Sequence, residues 1–269
     1  MTMRRLAVLG HPVAHSRSPA MHNAALDALG MAGEWRYEAI DVAPEGFEER
    51  VRAMPGEGFV GANVTVPHKE AALRLADTAS PVADAIGAAN TLGFEAGAVQ
   101  ADNTDAGGLI RALPGRVRGR RALVLGAGGA ARAAIWALAA EHAVVDVVDV
   151  WNRTSSRAEE VALQLGGAPI EAPRLSSYGL VVNATSVGLH GENPFEELLP
   201  LAEGRLDSEQ VVVDLVYGDK PTRLIEAAEA AGAHTVDGIE VLVQQGALSF
   251  EIWTGRKPPL DTMRSAARL

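Results

Sequence analysis

Apolar and polar positions along this chain alternate between two periods. Short aliphatic or β-branched runs such as "RRLAVLG", "FVGANVTV" and "RALVLG" are bounded by glycine, proline or asparagine and read as buried strands. Between them lie stretches with apolar residues at helical spacing, such as "SPAMHNAALDALG" and "SSRAEEVALQLGG". Strands taking turns with helices in this way predict an α/β fold with mostly parallel sheets.

The elements fall into two groups. The first is predicted to hold strands near 4–10, 35–42 and 58–66, with helices near 19–29, 46–54 and 68–77. Ser18 reads as an N-cap with Pro19 at the first helical position, and Gly30 closes that helix. "NTLGFEAGAVQADNTD" then reads as a hairpin turning near Ala96 and Gly97. The second group is predicted to hold strands near 121–125, 144–151, 180–184 and 211–217, with helices near 129–140, 155–165 and 222–231. The charged stretch 114–121 is the expected crossing between the groups, and 193–206 reads only as a loop and helix. After Gly238 come a helical segment, "EVLVQQGALSFEIWTG", and a short helix near 260–267.

Composition narrows the chemistry. A formal charge of −10 disfavours nonspecific nucleic-acid binding, which draws its affinity from Lys and Arg on phosphates. The absence of cysteine removes disulfides, thiolate nucleophiles and Cys-ligated metals together, and fits a reducing, cytoplasmic setting. The opening "MRRLAVLG" has too short an apolar run for a signal peptide, and the longest apolar stretch is broken by Arg132 and glycines, so neither export nor a membrane span is expected. His11 and His15 have no evident third ligand, and no metal site is expected.

The loudest motif is "RALVLGAGGAARAA", a strand, then Gly126, Ala127, Gly128, Gly129, Ala130 and Ala131, then an alanine-rich helix. Small residues at a strand-to-helix turn let backbone approach a pyrophosphate, and the helix start offers unpaired N–H groups and a positive dipole end. A tight packing turn would look similar. The next strand bears on which dinucleotide binds. It runs into Asn152, Arg153, Thr154 and Arg157, two guanidinium groups and two neutral polar side chains where an NAD-binding carboxylate is usual. Arginine forks suit the extra phosphate of NADP. Asp149 lies close enough to keep NAD open, and the two arginines could simply cover a helix start.

In the first group, "GHPVAHSRSPAMHN" places Ser16 and Ser18 at a helix mouth, a small anion site suited to a carboxylate, although capping alone would explain Ser18. "NVTVPHKE" delivers Lys69 from the tip of a strand that Pro67 should end, into the first turn of a helix where a cation is disfavoured by the dipole.

Taken in order, "GHPVAHSRSPAMHN", "GANVTVPHKE", "GAANTL", "DNTDAGGL", "VLGAGGAARAA", "WNRTSSRA", "VNATSVGL", "DLVY" and "VLVQQGALSFEIWTG" resemble the shikimate dehydrogenase family over nearly the whole chain. The resemblance implies NADP-linked reduction of 3-dehydroshikimate to shikimate on the route to aromatic amino acids. It also implies an N-terminal α/β substrate domain (1–107), a Rossmann-type doubly wound NADP domain (108–238) and C-terminal helices (239–269) returning to the first domain. By the same resemblance Lys69 and Asp105 form the catalytic pair; Ser16 and Ser18 hold the substrate carboxylate; Asn63, Thr65, Asn90, Gln245 and Tyr217 surround its hydroxyls; and Thr185, Leu215 and Gly238 join the glycine turn in holding the cofactor.

Each of these has a plainer reading. Lys69 could be a solvated lysine, Asn63 and Asn90 could satisfy turn backbone, Gln245 could lie on an exposed helix face, and Tyr217 could be rim packing. Departures from the family pattern are Asp219, with proline delayed to Pro221, Val241, Ala101 and Ala106. A quinate/shikimate dehydrogenase with looser cofactor use, a noncatalytic dinucleotide sensor and a structural or complex-forming subunit are the competing readings, the last without a coiled-coil pattern or charge tail to support it. The expected partners are the small substrate and the dinucleotide, with the chain a monomer or homodimer.

Overall fold

The computed structural model describes residues 3–117, 120–141, 145–187 and 206–269. It divides into two compact units, one of residues 1–108 with 242–269 and the other of 109–241. The predicted loop and helix at 193–206 lie outside the described residues, apart from Leu206.

The first unit is a six-stranded mixed sheet. Its strands are β1 (Arg4–Gly10), β2 (Trp35–Asp41), β3 (Phe59–Val64), β4 (Thr78–Ala79), β5 (Thr91–Glu95) and β6 (Ala98–Asp102), in the order β2-β1-β3-β5-β6-β4. β1 pairs in parallel with both β2 and β3, so it is central and covered on both faces; Leu6, Ala7, Val8 and Leu9 are accordingly buried as a continuous run. The β5–β6 hairpin turns at Ala96 and Gly97, both with positive φ, the twist that a two-residue hairpin needs. The helices are α1 (Ser18–Ala28), α2 (Phe47–Ala53), α3 (Lys69–Leu75), α4 (Pro81–Ile86) and α5 (Asp105–Ala112). Phe47, Val51 and Met54 pack with Leu9, Leu75 and Leu92 in one core. Fully burying each such side chain contributes about 1.5–3 kcal/mol.

The second unit is an all-parallel sheet of β7 (Arg120–Leu125), β8 (Val145–Trp151), β9 (Ala168–Pro169), β10 (Leu180–Asn183), β11 (Val211–Asp214) and β12 (His234–Val236). Its order, β12-β11-β10-β7-β8-β9, is the doubly wound arrangement whose strand order reverses between β7 and β10. Helices α6 (Gly129–Trp136), α7 (Ser155–Leu165) and α8 (Arg223–Ala230) serve as crossovers, with a wider helical turn over 137–141 continuing α6. Last come α9 (Gly238–Thr254), whose residues from Leu242 belong to the first unit, and α10 (Leu260–Ala267).

Several expectations need correcting. β3 stops at Val64, before Thr65 and Val66, although the Thr65 amide still donates to Leu9 O at 2.8 Å. β11 stops at Asp214, so Tyr217 lies three residues beyond the strand. The N-cap of α1 is Arg17, and Ser18 is the first helical residue with no cap bond from its side chain. The helix α5 was not predicted, because Gly107 and Gly108 lower helix propensity. Gly108 is needed where it stands, since a Cβ there would lie 2.7 Å from the Gln245 amide nitrogen; one on Gly107 would meet only the flexible end of Leu248, at 2.9 Å from Cδ1. Gly61 makes a similar allowance. A Cβ there would strike the Trp253 indole, whose Nε1 donates to Leu92 O at 2.9 Å and pins α9 to the sheet.

Candidate active site

Two short elements each begin with a charged residue, and those residues meet. Lys69 opens α3 and Asp105 opens α5; Lys69 Nζ lies 2.6 Å from Asp105 Oδ2, with side chains 12% and 19% exposed. Such burial excludes the solvated reading of Lys69. The start of α5 is set by Asn103, whose Oδ1 accepts from the Asp105 amide at 3.1 Å and the Ala106 amide at 3.4 Å, while its Nδ2 donates to Ala88 O at 2.8 Å. Lys69 is held on the other side by its own carbonyl, which accepts from the Ala89 amide.

Asn90 joins the pair. Its Nδ2 donates to Asp105 Oδ1 at 2.8 Å and to Gln245 Oε1 at 3.1 Å, and its Oδ1 accepts from the Thr104 amide at 2.7 Å. The backbone donor fixes which end of the amide faces Asp105. Gln245 is buried on α9, so the exposed-face reading fails. Asn63 sits in β3, accepting from Tyr37 Oη at 2.8 Å and donating to Ser249 Oγ at 2.9 Å and Asn90 O at 3.2 Å. Asn63 is a strand residue, whereas Asn90 lies in the bend before β5 and its Oδ1 does satisfy a backbone amide, that of Thr104.

Behind the two amides, Thr91, Thr104 and Ser249 form a buried hydroxyl cluster with separations of 2.8–3.2 Å. The residue reading passed over these three, and Tyr37 and Asn103 with them. Thr104 had a visible signal, since it lies inside "DNTD"; Ser249 and Tyr37 had none, because their part depends on contacts far apart in sequence.

Ser16, Ser18 and Thr65 belong to the same unit without a direct bond to the Lys69 group. Ser16 Oγ accepts from the Ser18 amide at 3.3 Å, and the Thr65 methyl lies against Gly10 at the start of the loop that carries both serines. That loop is braced by Asp41, which takes His11 Nδ1 on one oxygen at 2.7 Å and the Val13 amide on the other at 3.1 Å; the hydrogen bond from His11 lowers its pKa. His68, beside Lys69, stacks on Phe47 and donates from Nε2 to Val42 O. Burial lowers its pKa. Among the described residues no three His, Cys, Asp or Glu side chains converge as metal ligands.

In the second unit the glycine turn leaves β7 at Gly126, with φ +116, where a Cβ would stand 2.9 Å from Ala184 O. Gly128 caps α6 and faces open space, so backbone is presented without a side chain. Ala127 and Ala131 are buried and Ala130 is half-buried. Beyond β8, Asn152 is half-buried and its Nδ2 donates to Thr154 O at 3.0 Å; Arg153, Thr154 and Arg157 are exposed around the start of α7, whose first turn has no acidic residue. Asp149, the residue that left NAD open, has only one carboxylate oxygen engaged among the described residues. It is fully buried, and its Oδ2 accepts from Arg121 Nε and Tyr178 Oη, each at 2.8 Å. Thr185 follows β10, Leu215 and Tyr217 follow β11, both half-buried, and Gly238 opens α9 where a Cβ would lie 2.7 Å from Leu215 O.

Among the described residues no helix is long and apolar enough to cross a membrane. Three family models match successive parts of the chain. They describe a shikimate dehydrogenase substrate binding domain (residues 8–92), a shikimate/quinate 5-dehydrogenase (109–190) and a shikimate 5'-dehydrogenase C-terminal domain (238–268). The shikimate dehydrogenase (NADP(+)) of Methanopyrus kandleri is 44% identical, over 97% of this chain and 93% of its own length. That of Anaeromyxobacter dehalogenans is 46% identical over 96% and 94%. The crystal structure of shikimate 5-dehydrogenase from Thermus thermophilus in complex with NADP(H) and shikimate superposes with a TM-score of 0.86, at 42% identity over 99% of each chain.

Proposed function

Because this chain belongs to the shikimate dehydrogenase family, we propose that it interconverts 3-dehydroshikimate and shikimate with NADP(H), and that Lys69 and Asp105 manage the proton. It is an NADP-dependent oxidoreductase. The observation that carries the assignment of residues is the 2.6 Å contact between Lys69 Nζ and Asp105 Oδ2, held from behind by Asn90.

The second unit fits the cofactor on its own evidence. Gly128 leaves the start of α6 open to a pyrophosphate, and Arg153 and Arg157 stand exposed where no carboxylate would repel a 2'-phosphate. When bound, NADPH supplies the hydride that reduces the substrate carbonyl.

The remaining work falls to side chains. As the carbonyl carbon is reduced its oxygen gains negative charge, which needs a positive charge and a proton already in place. Lys69 carries both, and Asp105 keeps the ammonium aimed and compensates its charge. Asn90 prevents the carboxylate from rotating away, because its own amide is locked by the Thr104 backbone. In the reverse direction the pair accepts the hydroxyl proton. Ser16 and Ser18 receive the substrate carboxylate, and Asn63, Thr65, Asn90, Gln245 and Tyr217 recognise its hydroxyls. A site built from such paired amides rejects an analogue that lacks a hydroxyl, since a buried polar group would then stay unpaired. The proposed place of the reaction is the route to aromatic amino acids.

Nicotinamide absorbance with shikimate or quinate, each offered with NADP or NAD, tests the reading. Turnover is expected chiefly with shikimate and NADP. Comparable rates with quinate or NAD would reassign the chain to the less selective dehydrogenases, and no turnover in any pairing would overturn the enzymatic reading.

A further inference from the structure

One carboxylate joins the C-terminal ends of β10 and β11. Asp214 closes β11 with no exposed surface. Its Oδ1 accepts from Asn183 Nδ2 at 2.9 Å and from the Val216 amide at 3.0 Å, and its Oδ2 accepts from Thr222 Oγ1. Donating to Asp214 turns the Asn183 amide so that its own Oδ1 accepts from Thr185, at 3.1 Å from the backbone amide and 2.7 Å from the hydroxyl. Thr222 in turn caps α8 by accepting from the Ile225 amide. The two segments that leave the sheet after β10 and β11, and the start of α8 that the second leads into, are therefore tied to a single side chain. Open α/β sheets bind ligands at that edge.

A buried carboxylate is an expensive anchor. No cation among the described residues compensates it, and burial raises its pKa to about 6. The groups that reach it from β10, the 215–222 segment and the first turn of α8 are Asn183, the Val216 amide and Thr222; Asp219, Lys220 and Arg223 on those segments are exposed. An asparagine would spare the desolvation cost but would turn an NH2 toward one of three donors. Only an acceptor-only group serves all three.

The geometry points to Asp214 as the positioning residue of the cofactor edge, holding Thr185 through Asn183 and the 215–217 turn through the Val216 amide in the form that receives NADP(H). This rests on the NADP reading above, and it adds a residue that touches no ligand itself. Protonating Oδ2 would reverse the bond with Thr222 and remove the charge that holds Asn183 and Val216. Loss of one hydrogen bond to a charged group is worth about tenfold or more in affinity.

The test is NADP+ binding by calorimetry to the full chain, for wild type and Asp214→Asn, from about pH 5 to about pH 8. Near pH 7.5 the variant should bind NADP+ about tenfold more weakly. The ratio of the two NADP+ constants should shrink toward one as pH falls below about 6, because wild type then loses the same charge; titration of the 2'-phosphate cancels in that ratio. Thr222→Val, which removes one donor and leaves the carboxylate, should move the midpoint of the wild-type loss to higher pH and serves if the first variant does not fold. Equal affinities near pH 7.5, or a ratio that does not change with pH, would overturn the assignment to Asp214 alone. A wild-type chain that binds no NADP+ would overturn the cofactor reading and this inference together.

Discussion

Asn90 donates from Nδ2 to Oδ1 of Asp105 at 2.8 Å, leaving Oδ2 to Lys69. Each carboxylate oxygen therefore has its own partner, and the amide end that faces Asp105 is chosen by the Thr104 backbone. Asn90→Ala should lower kcat/KM for shikimate by about 10- to 100-fold, the cost of one hydrogen bond to a charged group, with NADP+ affinity unchanged. Steady-state kinetics checks this; a loss under about threefold would mean that Asp105 keeps its orientation unaided.

Removing the lysine takes away the proton carrier itself. Lys69→Ala should reduce turnover by about 100- to 10,000-fold while NADP+ still binds. Rates that fall less than about tenfold, measured by nicotinamide absorbance, would exclude Lys69 from proton transfer.

Arg153 is exposed beside the start of α7, and Asp149 is withdrawn into its contacts with Arg121 and Tyr178. Arg153→Ala should raise KM for NADP+ by about tenfold or more and leave KM for NAD+ where it was. The ratio of kcat/KM values for the two cofactors reads the effect. A variant that weakens both equally would place Arg153 away from the 2'-phosphate.

His22 on α1 is fully buried, its ring stacked on Tyr37 at 4.2 Å and both nitrogens without a hydrogen-bond partner among the described residues, and burial lowers its pKa to about 3. Between that value and the ordinary one near 6.5, the unfolded chain binds a proton that the folded chain refuses. Stability from this residue is thus present above pH 6.5 or so and is lost as pH falls toward 3. His22→Phe keeps the stack and should flatten the fall in unfolding free energy over that range, as measured by urea denaturation at several pH values. An unchanged slope would mean that His22 is not the group that titrates. Asp214, with a raised pKa, contributes in the opposite sense, losing stability as pH rises from its ordinary value near 3.8 to about 6.

The sequence by itself marked the longer strands and helices, because hydrophobic period, Pro19, Gly30 and the Ala96-Gly97 turn act over a few residues, but it missed the short β4, β9 and β12 and the helices α4 and α5. It also marked Gly126 to Ala131 as a strand-to-helix turn and exposed the want of a carboxylate at Asn152. Family resemblance, not spacing, connected Lys69 with Asp105. Tertiary structure decided what lies between distant segments: that α5 exists despite two glycines, that Asp149 is buried with its Oδ2 on Arg121 and Tyr178, and that Asn63 and Asn90 both bond to the hydroxyl cluster of Thr91, Thr104 and Ser249. It also placed Asp214 between Asn183, Val216 and Thr222. Local preferences are written in neighbouring residues, whereas the burial and pairing of a polar group depend on which remote side chains packing brings to it.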